Sequence, residues 1–208
     1  MKKGLSVTDL LKKQYTTLDF QGEWKAAFSK PESCGVWFIW GNSGNGKSRF
    51  VMQLCKELVR FGKVLYNSLE EGDSLTLQNA FRELNMQETN RNLLIVNEDI
   101  KNMSERLSRR RSADFVVVDS FQYSGMTYED YKTLKQTHKN KLLIFISHAD
   151  GKRPSGRSAK SVMFDSSQKI WVEGYKAFSK GRFIGDNGGV YTIWREGANK
   201  YWEATEKK

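Results

Sequence analysis

Val36-Trp37-Phe38-Ile39-Trp40-Gly41-Asn42-Ser43-Gly44-Asn45-Gly46-Lys47-Ser48 is the stretch on which the fold turns. Val36–Trp40 is apolar without a break, as a strand covered on both faces reads. Gly41–Ser48 then matches G-x-x-x-x-G-K-[ST] in full. Beyond it, Val51, Leu54, Cys55, Leu58 and Val59 fall at i, i+3, i+4 spacing, and Gly62 is a suitable stop. Strand, glycine-rich loop and amphipathic helix in that order are the setting of a phosphate-binding loop. Glycines let successive N–H groups turn inward toward phosphate oxygens, and the helix start adds partial positive charge. Gly41, Asn42, Ser43, Gly44, Asn45 and Gly46 therefore form the expected cradle. Lys47 would reach the β- and γ-phosphates, and the Ser48 hydroxyl would bind Mg²⁺.

Working outward, further short apolar runs follow at Val64–Tyr66, Leu93–Val96, Phe115–Val118 and Leu142–Ile146, with helical segments between them. This alternation predicts an α/β fold with a mainly parallel sheet and right-handed crossovers. After Lys169 the pattern changes to the aromatic runs Ile170–Val172, Val190–Trp194 and Tyr201–Trp202, separated by Gly185, Gly188, Gly189 and Gly197. They read as a small C-terminal antiparallel extension, with Trp171 and Trp194 in the core.

Phe115-Val-Val-Val-Asp119 ends an apolar strand on a carboxylate, and an Asp on a strand beside the loop can hold Mg²⁺ through water. Ser120 follows it, so mechanisms in which a catalytic Glu follows this Asp fit poorly, and no LSGGQ-type signature occurs. Ser147-His-Ala-Asp150 lacks the lysine of a guanine-binding N/T-K-x-D, and Asp119-Ser-Phe-Gln122 lacks the glycine of D-x-x-G. The general base is then expected at the end of the second strand, in Ser68-Leu-Glu70-Glu71-Gly72. A strand neighbouring the loop strand could aim Glu70, or alternatively Glu71, at the water attacking the γ-phosphate.

With these residues in place, residues 36–195 resemble the RecA-like superfamily, including RadA-type recombination ATPases and DnaB-type replicative helicases. Residues 64–81 resemble the strand carrying the family's catalytic glutamate, here Glu70. Residues 116–122 resemble its metal-side strand. Residues 142–150 resemble its polar-tipped sensor strand, which makes Ser147 and His148 candidates to sense the γ-phosphate. Lys180-Gly-Arg182-Phe-Ile-Gly185 resembles the K-x-R turn that these ATPases insert into a neighbour's site, although its Gly185–Gly189 turn is longer and richer in glycine. A planar, permanently charged guanidinium suits that task. The resemblance thus implies a three-layer ATPase domain over residues 36–208, a homo-oligomer with Lys180 and Arg182 acting in trans, and an N-terminal segment, residues 1–35, packing on the core. Short stand-alone "AAA family ATPases" of bacteriophages and their hosts are similar over the whole chain. The cofactors implied are ATP and Mg²⁺, and the work implied is DNA binding in recombination, repair or replication.

The chain of 208 residues carries a net charge of +10, but the excess is local. Lys101–Arg111 holds +4 and Gly151–Arg182 holds +6, while the rest is balanced. The first segment reads as a solvated helix end. The second begins as a Gly/Ser/Pro-rich basic loop, Gly151–Lys160, just after the sensor strand. In RecA-like proteins this position contacts single-stranded DNA, so Lys152, Arg153, Arg157 and Lys160 are candidates to neutralise phosphates, single- or double-stranded. Cys34 and Cys55 are too few for a disulfide framework, His138 and His148 are isolated, and no apolar run approaches the roughly 20 residues of a membrane span. The start has no apolar core of a secretory signal, so the expected location is the cytoplasm of a bacterial or phage-infected cell. Two further readings stand beside the ATPase: an ATP-dependent DNA-binding switch or mediator with little turnover, and a small-molecule kinase. A phage packaging or scaffold protein is a third, non-catalytic possibility.

Overall fold

The computed structural model describes residues 4–185 and 187–206. The apolar run and its glycine form β1 (Gly35–Gly41), and the loop opens α3 (Lys47–Leu58). Before them lie α1 (Val7–Lys12) and α2 (Gly22–Phe28). The other runs become β2 (Val64–Ser68), β3 (Leu93–Val96), β4 (Phe115–Asp119) and β5 (Leu142–Asp150), separated by α4 (Leu75–Glu83), α5 (Ile100–Leu107) and α6 (Tyr128–Thr137). After β5 come β6 (Arg153–Pro154), α7 (Arg157–Asp165), β7 (Gln168–Glu173), β8 (Lys176–Gly181), β9 (Gly189–Thr192) and α8 (Arg195–Glu206).

The sheet runs β3-β2-β4-β5-β1-β7-β8-β9, with β6 paired to the end of β5. β3, β2, β4, β5, β1 and β7 are parallel neighbours, and β8 and β9 complete the sheet antiparallel. Because side chains alternate along a strand, β1 feeds both faces. Trp37 and Ile39 pack with Phe50, Val51 and Leu54 of α3, while Val36 and Phe38 pack with Met103 of α5, Tyr131 and Leu134 of α6 and Val162 of α7. The result is three layers, α2–α4 on one face and α5–α7 on the other. Leu18, Phe20, Ala27 and Phe28 lie buried in the first of these layers, whereas α1 buries no side chain.

Several expectations change here. β7 is parallel to β1, so the antiparallel extension starts only at β8. Tyr201 and Trp202 lie in α8, and Trp194 precedes that helix with 40% of its surface exposed. Aromatic residues populate strands and helix faces alike, so composition does not separate the two. Gly151–Lys160 is no loop: it is a tight hairpin of β5 and β6 followed by α7, whose Ala159 and Val162 are buried. β2 and β4 do not neighbour β1, because β5 intervenes. Parallel strand order is set by crossovers, which an apolar run does not encode.

Candidate functional site

The carboxyl ends of β1, β4 and β5 and the turn after β2 meet around a cleft of about 430 Å³. It is lined by Gly44, Gly46, Lys47, Ser48, Glu70, Asp119 and Ser147, among others. Open parallel sheets bind ligands at this edge. The loop curls as its glycines require: Gly46 has φ +93°, a left-handed value that a side chain disfavours. The Lys47 ammonium donates to the Asn42 carbonyl at 3.1 Å, inside the loop. Burial lowers the Lys47 pKa, opposed by the nearby charges of Asp119 and Glu70. The loop is also braced from outside. Asn45 accepts from the backbone N–H of Gly174 through its side chain (2.8 Å) and from that of Tyr175 through its carbonyl (3.2 Å).

Asp119 stands at the end of β4, and the Asp119–Ser120 peptide bond is cis. Burial pushes its carboxyl up to about 6; the Tyr66 hydroxyl, which donates to Oδ2, pulls the other way, and Glu70 and Glu71 add to the rise. The turn after β2 is tied to the same residue, since the N–H groups of Leu69 and Glu70 donate to the Asp119 carbonyl at 2.7 and 3.1 Å. Glu70 Oε2 lies 3.1 Å from His148 Nε2. Glu71 also faces the cleft, but its carboxylate accepts from Ser74 Oγ at 3.4 Å, at the start of α4. Ser147 is fully buried, and its hydroxyl accepts from Gln122 Nε2 at 2.8 Å. Gln122 Oε1 accepts from the His148 N–H, and its amide donates to the Ser155 carbonyl.

The predicted loop residues, Ser48, Glu70, Asp119, Ser147 and His148 thus assemble at one edge. Lys180 and Arg182 do not join them. Lys180 pairs with Lys169 on β7, toward the opposite end of the sheet, where Lys180 is exposed and Lys169 half-buried. Arg182 there acts electrostatically on Asp165 and Lys169. Lys152 and Arg153 sit exposed at the β5–β6 hairpin, while Arg157 and Lys160 lie on α7. The hairpin touches the phosphate loop through its backbone: Trp40 Nε1 donates to Lys152 O (3.1 Å) and Asn42 Nδ2 to Gly151 O (3.3 Å).

Sequence reasoning misses an aromatic wall. Tyr175 and Trp194 line the cleft and meet edge-to-face, centroids 5.1 Å apart, with the Arg49 guanidinium 5.9 Å from the Trp194 ring centre. The one signal is Gly197, where a Cβ would fall 2.3 Å from the Trp194 ring: helix α8 admits that ring only by omitting a side chain.

The residues suit a magnesium nucleotide. The cleft offers a hydroxyl and a carboxylate as hard oxygen donors, Ser48 and Asp119. Among the described residues no three His, Cys, Asp or Glu side chains form a metal cluster, so phosphate oxygens and water would complete the shell.

No protein-family model and no curated protein matches the sequence. Solved structures do match the fold. The flagellar accessory protein FlaH from Methanocaldococcus jannaschii superposes with a TM-score of 0.62 at 14% identity, covering 85% of this chain and 93% of that one. The fold is RecA-like. A second neighbour, the KaiC-like protein PH0186 from Pyrococcus horikoshii OT3, gives a TM-score of 0.54 at 15% identity, covering 85% of this chain and 91% of that one. No helix among the described residues is long and apolar enough to cross a membrane.

Proposed function

We propose that the protein is a Mg²⁺-dependent ATPase. One observation carries this reading: Lys47, Ser48, Asp119 and Glu70, from three separate segments, line a single cleft at the carboxyl edge of a RecA-like sheet. The amides of residues 41–48 and the Lys47 ammonium would hold the β- and γ-phosphates, with the adenine near Tyr175 and Trp194. Ser48 and Asp119 would hold Mg²⁺, which when bound neutralises charge between the β- and γ-phosphates. Glu70 accepts a proton from water as the water oxygen bonds to the γ-phosphorus, and the bond to the β-phosphate oxygen breaks to leave ADP and phosphate. His148, hydrogen-bonded to Glu70, orients that carboxylate. Ser147 and His148, linked through Gln122 to Ser155, relate the γ-phosphate to the basic hairpin.

The finer part of the proposal couples hydrolysis to DNA in a homo-oligomer. Lys152, Arg153, Arg157 and Lys160 would neutralise DNA phosphates, and Lys180 and Arg182 would complete a neighbour's site. The DNA part rests on this chain's own basic hairpin and helix. Phosphate release with and without single-stranded DNA, at two salt concentrations, tests both parts. Glu70→Gln should bind ATP yet lose turnover by about 10²-fold or more, the scale of general-base catalysis. Loss in Glu71→Gln with Glu70→Gln unaffected would move the base by one residue. ATPase unchanged by DNA at either salt would remove the coupling.

A further inference from the structure

Tyr66 is a charged site's neighbour hidden in the core. It lies on β2, its side chain is almost fully buried, and its ring meets Phe81 edge-to-face at 6.5 Å. Packing alone would be satisfied by a phenylalanine. The hydroxyl instead donates to Asp119 Oδ2, across from β2 to β4. We infer that Tyr66 is a positioning residue for the metal-side carboxylate, a role that rests on the nucleotide reading above.

The geometry supports this from two directions. β2 and its turn hold Asp119 at both ends: Tyr66 at the carboxylate, and the Leu69 and Glu70 N–H groups at the carbonyl. The element that carries the proposed base therefore also sets the carboxylate beside it. An ionised carboxylate has two oxygens, each able to accept more than one hydrogen bond. With Oδ2 anchored by the phenol, Oδ1 would stay available to a bound Mg²⁺ ion, which Asp119 and Ser48 would hold from the same cleft. Glu70 and Glu71 lie close enough to repel this carboxylate, so a fixed donor keeps it aimed. A phenol carries its proton at neutral pH and so serves as the donor of this pair.

The test compares ATP affinity with Mg²⁺ and with EDTA, in wild type, Tyr66→Phe, Asp119→Asn and the double variant, with melting temperatures as the folding check. Tyr66→Phe keeps the ring, so packing against Phe81 is retained. Its metal-free ATP affinity should stay within about twofold of wild type, while the gain on adding Mg²⁺ should fall by about tenfold or more, the scale on which partners of metal ligands act. In the Asp119→Asn background the same change should have no further effect, because coupled residues are not additive. An undiminished Mg²⁺ gain in Tyr66→Phe, or an equal loss in both backgrounds, overturns the assignment and leaves the nucleotide reading standing. Wild type that binds ATP under neither condition overturns both.

Discussion

At the carboxyl edge of the sheet, Lys47, Glu70, Asp119 and His148 arrive from four segments and face one another across a cleft. At the amino edge, Arg182 and Lys169 lie near Asp165, which is already paired with Lys135 at 2.6 Å, and Lys180 sits opposite Lys169 on β8. One edge brings opposite charges together, as binding and turnover of a phosphate ester require. The other concentrates cations on a surface. Like charges on paired strands, as at Lys169 and Lys180, repel. That cost makes sense where an anion arrives from outside. If copies of the chain stack head to tail, as proposed above, the two edges would meet as halves of one site.

The sharpest way to break this contrast is at the cleft. Lys47→Ala should abolish turnover, a loss of about 10³-fold or more, because it removes the cation that offsets the negative charge of the transferring phosphate. Unchanged phosphate release would end the ATPase reading. Arg182→Ala comes next. Trans-acting arginines are worth about 10³–10⁵ in turnover elsewhere, and a somewhat smaller loss is expected here because Lys180 remains. Mixing Arg182→Ala with Lys47→Ala should restore part of the activity, since mixed assemblies contain sites with both groups intact. Mixtures as inactive as their parts would place the two edges in separate roles.

A third prediction concerns Asp119 in the metal-free protein. Its carboxyl is raised from 3.8 to about 6 in the fold, so the folded state binds more protons than the unfolded state between those values. Stability should therefore fall as pH rises from about 4 to 6, by about 1–3 kcal/mol for this group. Asp119→Asn should flatten that slope and raise the melting temperature at pH 8. A slope unchanged by the substitution would mean the carboxylate is better solvated than its burial indicates. The smallest effect belongs to the hairpin. Lys152→Glu with Arg153→Glu should weaken single-stranded DNA binding and make its salt dependence shallower, by about one unit of slope for each phosphate that is no longer neutralised. A salt titration of binding by both proteins checks it, and identical slopes would take the hairpin out of the DNA path.

The phosphate loop, the parallel strands and Asp119 are legible because each is encoded locally, in unbroken apolar runs ending on a polar residue. Glu70 is legible through its place at a strand end, even though β2 lies farther from β1 than expected. The Tyr66 hydroxyl is not, because a tyrosine inside Val64-Leu-Tyr66 looks like any other core residue until β4 is set beside β2. Trp194 reads as core for the same reason: its exposure depends on where α8 begins. Arg157–Asp165 carries a helical spacing in Ala159 and Val162, but the glycine, serine and proline just before it mask the start. Contact between strands distant in the chain escapes such reading, while order within one element does not.

β8 has a mechanical meaning beyond its place in the sheet. Its six residues make a stiff rod about 20 Å long at some 3.3 Å per residue. One end hangs from the turn that Asn45 of the phosphate loop grips, and the other carries Lys180 and leads straight into Arg182. In a head-to-tail stack each rod would span from its own nucleotide to the next subunit's. Through the turn at Gly174 and Tyr175, a movement of the phosphate loop would then be felt at the strand that leads to Lys180 and Arg182.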